Sequence, residues 1–131
     1  MKTYFISVSL LVCLCSASAF QDDALLKSKA RGKELYTELC IACHLAEGQG
    51  VKGSIPPLAK ADYLNAPEKA IHAIKFGLSG KIVVNGVTYD NVMPEQGLSD
   101  EEIADLTNYI LNSWGNKGKY VSPAMVAKVK E

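Results

Sequence analysis

The chain has 131 residues, 48% of them hydrophobic, with 14 basic and 14 acidic side chains and no net charge. That length suits one domain with a modest core, and the balanced charge offers no basic patch of the kind nucleic acid requires. No internal repeat or low-complexity segment appears.

Residues 1–19 read as a secretory signal peptide. Lys2 supplies the positive start, Phe5 to Cys15 is apolar except for Ser7 and Ser9, and Ala17-Ser18-Ala19 is an A-x-A cleavage site. The apolar run is well short of the ~20 residues that span a bilayer. Cleavage after Ala19 would remove Cys13 and Cys15 and leave residues 20–131 as a single domain with a short C-terminal tail from about residue 116. That domain contains no long apolar segment, so it is expected to be soluble and exported, in a bacterium to the periplasm.

Ala24 to Leu39 is expected to be a helix, because Leu25, Leu26, Leu35, Tyr36 and Leu39 recur at roughly helical spacing among charged residues. Gly32 within it costs ~1 kcal/mol relative to alanine, which suggests that another backbone comes close there.

The helix runs into Cys40-Ile41-Ala42-Cys43-His44, the C-x-x-C-H spacing of c-type haem attachment. Two thiols three positions apart can add to the two vinyl groups of one haem. The imidazole after the second thiol can then bind the iron. The competing chemistries fit less well. A thioredoxin-like redox pair wants a βαβ setting, and a structural zinc site wants four ligands. Beyond the signal the chain has only these two cysteines and two histidines, His44 and His72. An exported domain whose cysteines are both committed in this way has no disulfide framework.

Residues 46–61 form a glycine-bearing loop stiffened by Pro56 and Pro57. A haem-ligating histidine usually donates its other ring N–H to an oxygen, and a carbonyl in this Pro-Pro turn is a suitable acceptor for His44. Asn65 reads as the N-cap of the next helix, with Pro67 in its first turn, Ala70, Ile71, Ile74 and Phe76 on its apolar face, and Gly77 at its end. Lys81 to Asp90 reads as a hairpin turning at Asn85-Gly86. Ser99 and Glu102 make a capping box. They open a helix with Ile103, Leu106, Tyr109, Ile110 and Trp114 on one face, stopped by Gly115. Ser122-Pro123 can start a last short helix. The fold class is therefore mainly α: three to four helices around one covalently bound haem, with a small β-hairpin inserted before the Met93 loop.

Met93 is the expected second iron ligand. Pro94 holds it out of helical geometry, so its side chain projects from an extended loop, and a thioether opposite histidine raises the reduction potential. Met125 is expected to pack under the tail. His72 is expected to be a partly exposed helix residue.

With these residues in place, residues 25–114 resemble a class I monohaem cytochrome c. Cys40, Cys43 and His44 match the family's attachment motif, Met93 before Pro94 its axial methionine, and Pro56 the proline whose carbonyl contacts the haem histidine. Gly32 and Tyr36 resemble the glycine and aromatic of the first helix, and Leu106 and Tyr109 their partners on the last. The hairpin, the segment from Gly97 and residues 112–116 are similar to haem domains attached to some copper nitrite reductases, although the chain has no copper domain. The resemblance implies one haem c, with Cys40, Cys43, His44, Pro56 and Met93 as cofactor-binding residues and His44 and Met93 on the iron. It implies electron transfer without a catalytic residue, between respiratory redox partners that touch an exposed haem edge near Cys40 and Cys43. The alternatives are a haem subunit of a multi-component oxidoreductase, such as a nitrite reductase or a dehydrogenase, and a ligand-responsive or scaffold role for the tail.

Overall fold

The computed structural model describes residues 22–131. The signal segment read at residues 1–19 lies outside them. Helix α1 is α-helical over residues 22–35, widens into a π-turn over Tyr36–Cys40, and returns to α-helix over Ile41–His44. It therefore continues past the expected end at Leu39 and carries the whole C-x-x-C-H motif.

The buried line of α1 is Ser28, Gly32, Tyr36 and Cys40, one residue every four. The expected leucine face is corrected: Leu26 is 65% exposed and Leu39 39% exposed. At Gly32 another helix backbone presses on this line. A Cβ at Gly32 would collide with the carbonyl oxygen of Asp105 and lie 2.9 Å from Tyr109 Cβ, so only glycine allows this crossing.

A loop and a 3-10 turn at Asp62–Asn65 lead to helix α2, Pro67–Phe76. Asn65 closes the 3-10 turn and does not cap α2. The N-cap is Ala66, which offers no side-chain acceptor, and the start is set by Pro67, whose missing N–H costs nothing there. Strands β1, Lys81–Val84, and β2, Val87–Asp90, pair antiparallel with Ile82 opposite Tyr89 and Val84 opposite Val87. Asn85 and Gly86 both have positive φ, as a type I′ turn requires. The turn is docked: Asn85 N–H donates to Asp62 Oδ1 at 2.8 Å and Asp62 N–H to Asn85 Oδ1 at 2.9 Å.

Helix α3, Asp100–Leu111, opens on the full capping box of Ser99 and Glu102. It stops at Leu111, before the expected Gly115. The chain turns back there, and Trp114 adopts positive φ and packs tilted against Tyr36 and edge-on against Tyr109, its ring centroids 4.9 and 5.4 Å away. Helix α4, Pro123–Val126, closes the chain with Val121 and Val126 fully buried. Met125 is corrected: it is 46% exposed and does not pack under the tail, because Val126 takes the inward position.

Helix α3 is buried on almost every side. Leu106 and Ile110 join Tyr36, Ile71, Ile74, Val84 and Tyr89 in the core. On a second side lies a polar set that the sequence reading did not contain. Asp105 accepts from Ser28 Oγ at 2.6 Å and from Arg31 Nε and Nη2 at 2.6 and 2.7 Å. Asn108 Nδ2 donates to Ser28 Oγ and to the Val121 carbonyl, both at 2.8 Å, and Asn108 Oδ1 accepts from Val121 N–H at 2.7 Å. Helices α1 and α3 and the tail are thus tied by one satisfied buried network. Among the described residues no helix is long and apolar enough to cross a membrane.

Candidate functional site

The end of α1, the loop after it, the hairpin and the loop before α3 enclose a crevice made of two adjoining cavities. Cys40, His44, Pro56, Leu78, Ile82 and Met93 line both. None of the lining residues carries a full charge, and the walls are mostly aliphatic. A lining of this polarity suits a flat, apolar ligand.

The motif residues meet there. Cys40 is buried and Cys43 exposed, and neither is in a disulfide. Burial, reinforced by the nearby Cys43, pushes the Cys40 thiol up to about 11, so the unattached site holds it protonated. His44 Nδ1 stands 3.0 Å from the Pro56 carbonyl oxygen. A carbonyl can only accept, so Nδ1 carries the hydrogen and Nε2 keeps the lone pair that a metal needs. Burial lowers the His44 pKa and the Pro56 contact partly opposes it, which leaves the ring neutral, the form that ligates.

The backbone around His44 is unusual. Leu45 follows it with φ +65° and ψ 167°, a region that is essentially reserved for glycine. Its carbonyl is gripped by the Tyr36 hydroxyl at 2.6 Å and by the Gly48 N–H at 3.1 Å. Tyr36 is itself buried, and burial raises its pKa, so it stays a neutral donor.

Met93 also reaches the crevice, from a loop whose backbone bonds reciprocally to Leu78, with N–H to O distances of 2.8 Å each way. His72 lines neither cavity, and its ring meets Phe76 edge-on at 5.1 Å. Met125 lines neither as well. No cluster of three or more histidine, cysteine or acidic side chains able to hold a metal ion occurs among the described residues.

The sequence reading missed the hairpin's contribution. Ile82 and Tyr89 face inward from the two strands and line the crevice, while Val83 and Thr88 point outward. The signal was present as period-two alternation, but which face lines the crevice depended on where the hairpin docks.

A mainly helical domain with paired thiols, a carbonyl-oriented histidine and a methionine in one apolar crevice defines a haem-carrying electron-transfer protein. The comparisons agree. The cytochrome c family profile matches residues 29–114. A cytochrome c-552 of Thermus thermophilus is 38% identical over 112 residues, covering 79% of this chain and 75% of that one. The cytochrome c subunit of a quinone alcohol dehydrogenase from Gluconobacter oxydans is 33% identical, covering 73% of this chain and 21% of its own length. The fructose dehydrogenase cytochrome subunit of Gluconobacter japonicus is 29% identical, covering 89% and 25%.

The chain belongs to the cytochrome c family. It is a class I monohaem cytochrome c, an electron carrier with covalently bound haem c, and Cys40 and Cys43 fit the attachment motif. None of these three relatives is named for nitrite chemistry.

Proposed function

We propose that Cys40 and Cys43 carry the haem through thioethers, that His44 and Met93 are its axial ligands, and that Pro56 orients His44. The single observation that carries this is the convergence of all five residues on one uncharged crevice, with His44 Nδ1 committed to the Pro56 carbonyl at 3.0 Å. The bound haem supplies a one-electron iron couple. The chain's residues do the rest. With haem bound, the His44 imidazole and the Met93 thioether would hold the iron, the aliphatic walls would keep water away, and the soft neutral sulfur would favour the reduced state. Exposed Cys43 marks the rim at which electrons enter and leave. Residues 1–19 support export to the periplasm, where the protein would shuttle electrons between respiratory redox proteins.

Met93→Ala tests the ligand set. The ferric protein should lose the weak methionine-to-iron charge-transfer band at the red end of the visible spectrum, its reduction potential should fall, and the reduced form should bind carbon monoxide. Met125→Ala and His72→Ala should leave all three unchanged. Retention of the band in the Met93 variant would refute the assignment.

A second reading is that the domain serves as the haem subunit of a larger dehydrogenase. The relatives named as dehydrogenase subunits favour it, although the chain spans only about a fifth to a quarter of their length. A stable stoichiometric partner retained through purification would support this reading, and a free monomer that exchanges electrons rapidly with added redox proteins would support the first.

A further inference from the structure

We propose that Gly77 and Leu78 are positioning residues for the iron's methionine: Leu78 holds Met93 by its backbone, Gly77 lets the two segments come that close, and the Leu78–Met93 bridge is the latch that must open before Met93 can leave. This rests on Met93 being an axial ligand.

The loop that carries Met93 is weakly tied to the rest of the molecule. Its polar side chains bond only within it: Val92 N–H donates to Asn91 Oδ1 at 2.9 Å, and Gln96 Nε2 donates to the Pro94 carbonyl at 2.5 Å. Among the described residues no side-chain hydrogen bond links residues 91–97 to any other segment. The connection that does exist is the pair Leu78 N–H to Met93 carbonyl and Met93 N–H to Leu78 carbonyl, each 2.8 Å. These two bonds fix the residue on both sides of its Cα, and so fix the direction in which its side chain leaves the backbone. Leu78 also lines both cavities, so the latch and the crevice wall are one residue.

Gly77 makes the approach possible. It ends α2 with φ +77° and ψ −179°, a conformation essentially limited to glycine. A Cβ there would lie 2.7 Å from the Met93 carbonyl oxygen, 3.0 Å from the Glu95 nitrogen and 3.3 Å from the Pro94 carbonyl carbon. These are backbone atoms of the methionine loop, and they can yield only if the loop itself moves. Any side chain at residue 77 therefore acts on the ligand-bearing segment directly, besides straining its own backbone.

The experiment compares two glycines in the haem-loaded protein. Gly77→Ala should bind cyanide in the ferric state faster by on the order of tenfold, because the opening that precedes it becomes easier. The charge-transfer band should weaken in parallel. Gly118→Ala is the control: its Cβ would meet Leu111 Cβ at 2.6 Å, an equally tight contact away from the crevice. That variant should melt earlier without faster cyanide binding.

Wild-type cyanide kinetics in Gly77→Ala, or equal acceleration in both variants, would overturn the proposal. Amide hydrogen exchange on the unmodified protein keeps the test open should Gly77→Ala fail to mature. The Leu78 and Met93 amides should be protected and should open together, and a Met93 amide exchanging at the rate of a free peptide would refute the latch. Failure of the ligand reading itself would show separately, as a charge-transfer band that survives Met93→Ala.

Discussion

Helix α3 has two unlike neighbourhoods. One is the crevice, where Leu106 and Ile110 face uncharged walls and loops. The other is the crossing with α1 and the tail, where Asp105 and Asn108 bind Ser28, Arg31 and Val121 through short, mutually satisfied hydrogen bonds. The crossing is complete in protein atoms, so it can be stable by itself. The crevice is built to be completed by a cofactor, and the loop that brings Met93 to it is tied to the rest of the fold by the backbone pair with Leu78. Stability and redox chemistry are thus assigned to opposite sides of one helix. Arg31 is half exposed, so the worth of the crossing lies in satisfying buried Asp105 and Asn108 and not in the ion pair as such.

The largest effect should come from emptying the crevice. The double variant Cys40→Ala/Cys43→Ala should yield no covalent haem, so that acidified organic solvent extracts all the pigment from it and none from the parent. Near-ultraviolet circular dichroism should collapse on the crevice side while far-ultraviolet helix signal from the α1–α3 crossing survives in part. Complete loss of helix would show that the two neighbourhoods are not separable.

Next is Asn108→Ala, which strips partners from Ser28 and from both backbone groups of Val121. A loss of about 3 kcal/mol in urea unfolding is expected, since each buried group left unsatisfied costs about 1–3 kcal/mol. Proteolysis of the tail should accelerate, with the charge-transfer band unmoved. Gly32→Ala should cost about 2 kcal/mol by overpacking the crossing, again without spectral change. An unaltered melting temperature there would mean that the helices separate freely.

The smallest effect belongs to the capping box. Ser99→Ala should cost about 1 kcal/mol. The Ser99 hydroxyl and N–H hold the Glu102 carboxyl below its usual pKa. That contribution is present above the ordinary carboxylate range and fades as pH falls through the lowered value. The variant should therefore show a flatter acid limb in a stability-versus-pH profile.

Much of the crevice was legible in the sequence because its chemistry is local. The thiols and imidazole are contiguous, Pro94 fixes the residue before it, and Asn85-Gly86 dictates its own turn. Gly32 announced a close approach, though not that the Asp105 carbonyl was the partner. The crossing was illegible for the opposite reason. Ser28, Asp105 and Asn108 look like solvent-facing residues on amphipathic helices, and their partners lie 77 and 80 positions away. The tail's role was hidden with them, since Val121 is tied to Asn108 by backbone groups that no side-chain pattern reveals. Asn65 misled because a good cap residue was spent on ending a 3-10 turn.

The π-turn at Tyr36–Cys40 works as a gear between the two neighbourhoods. Each residue of an α-helix advances the side-chain direction by about 100°, so one extra residue in a turn rotates everything beyond it relative to everything before. Upstream, Ser28 and Gly32 keep phase with α3. Downstream, Cys40, Cys43 and His44 keep phase with the crevice. The phase of the haem-binding end can therefore be set independently of the phase of the helix crossing, by the width of one turn. A single-residue deletion between Tyr36 and Cys40 would remove that freedom, and it would misdirect either the glycine contact or the histidine without altering any residue that touches them.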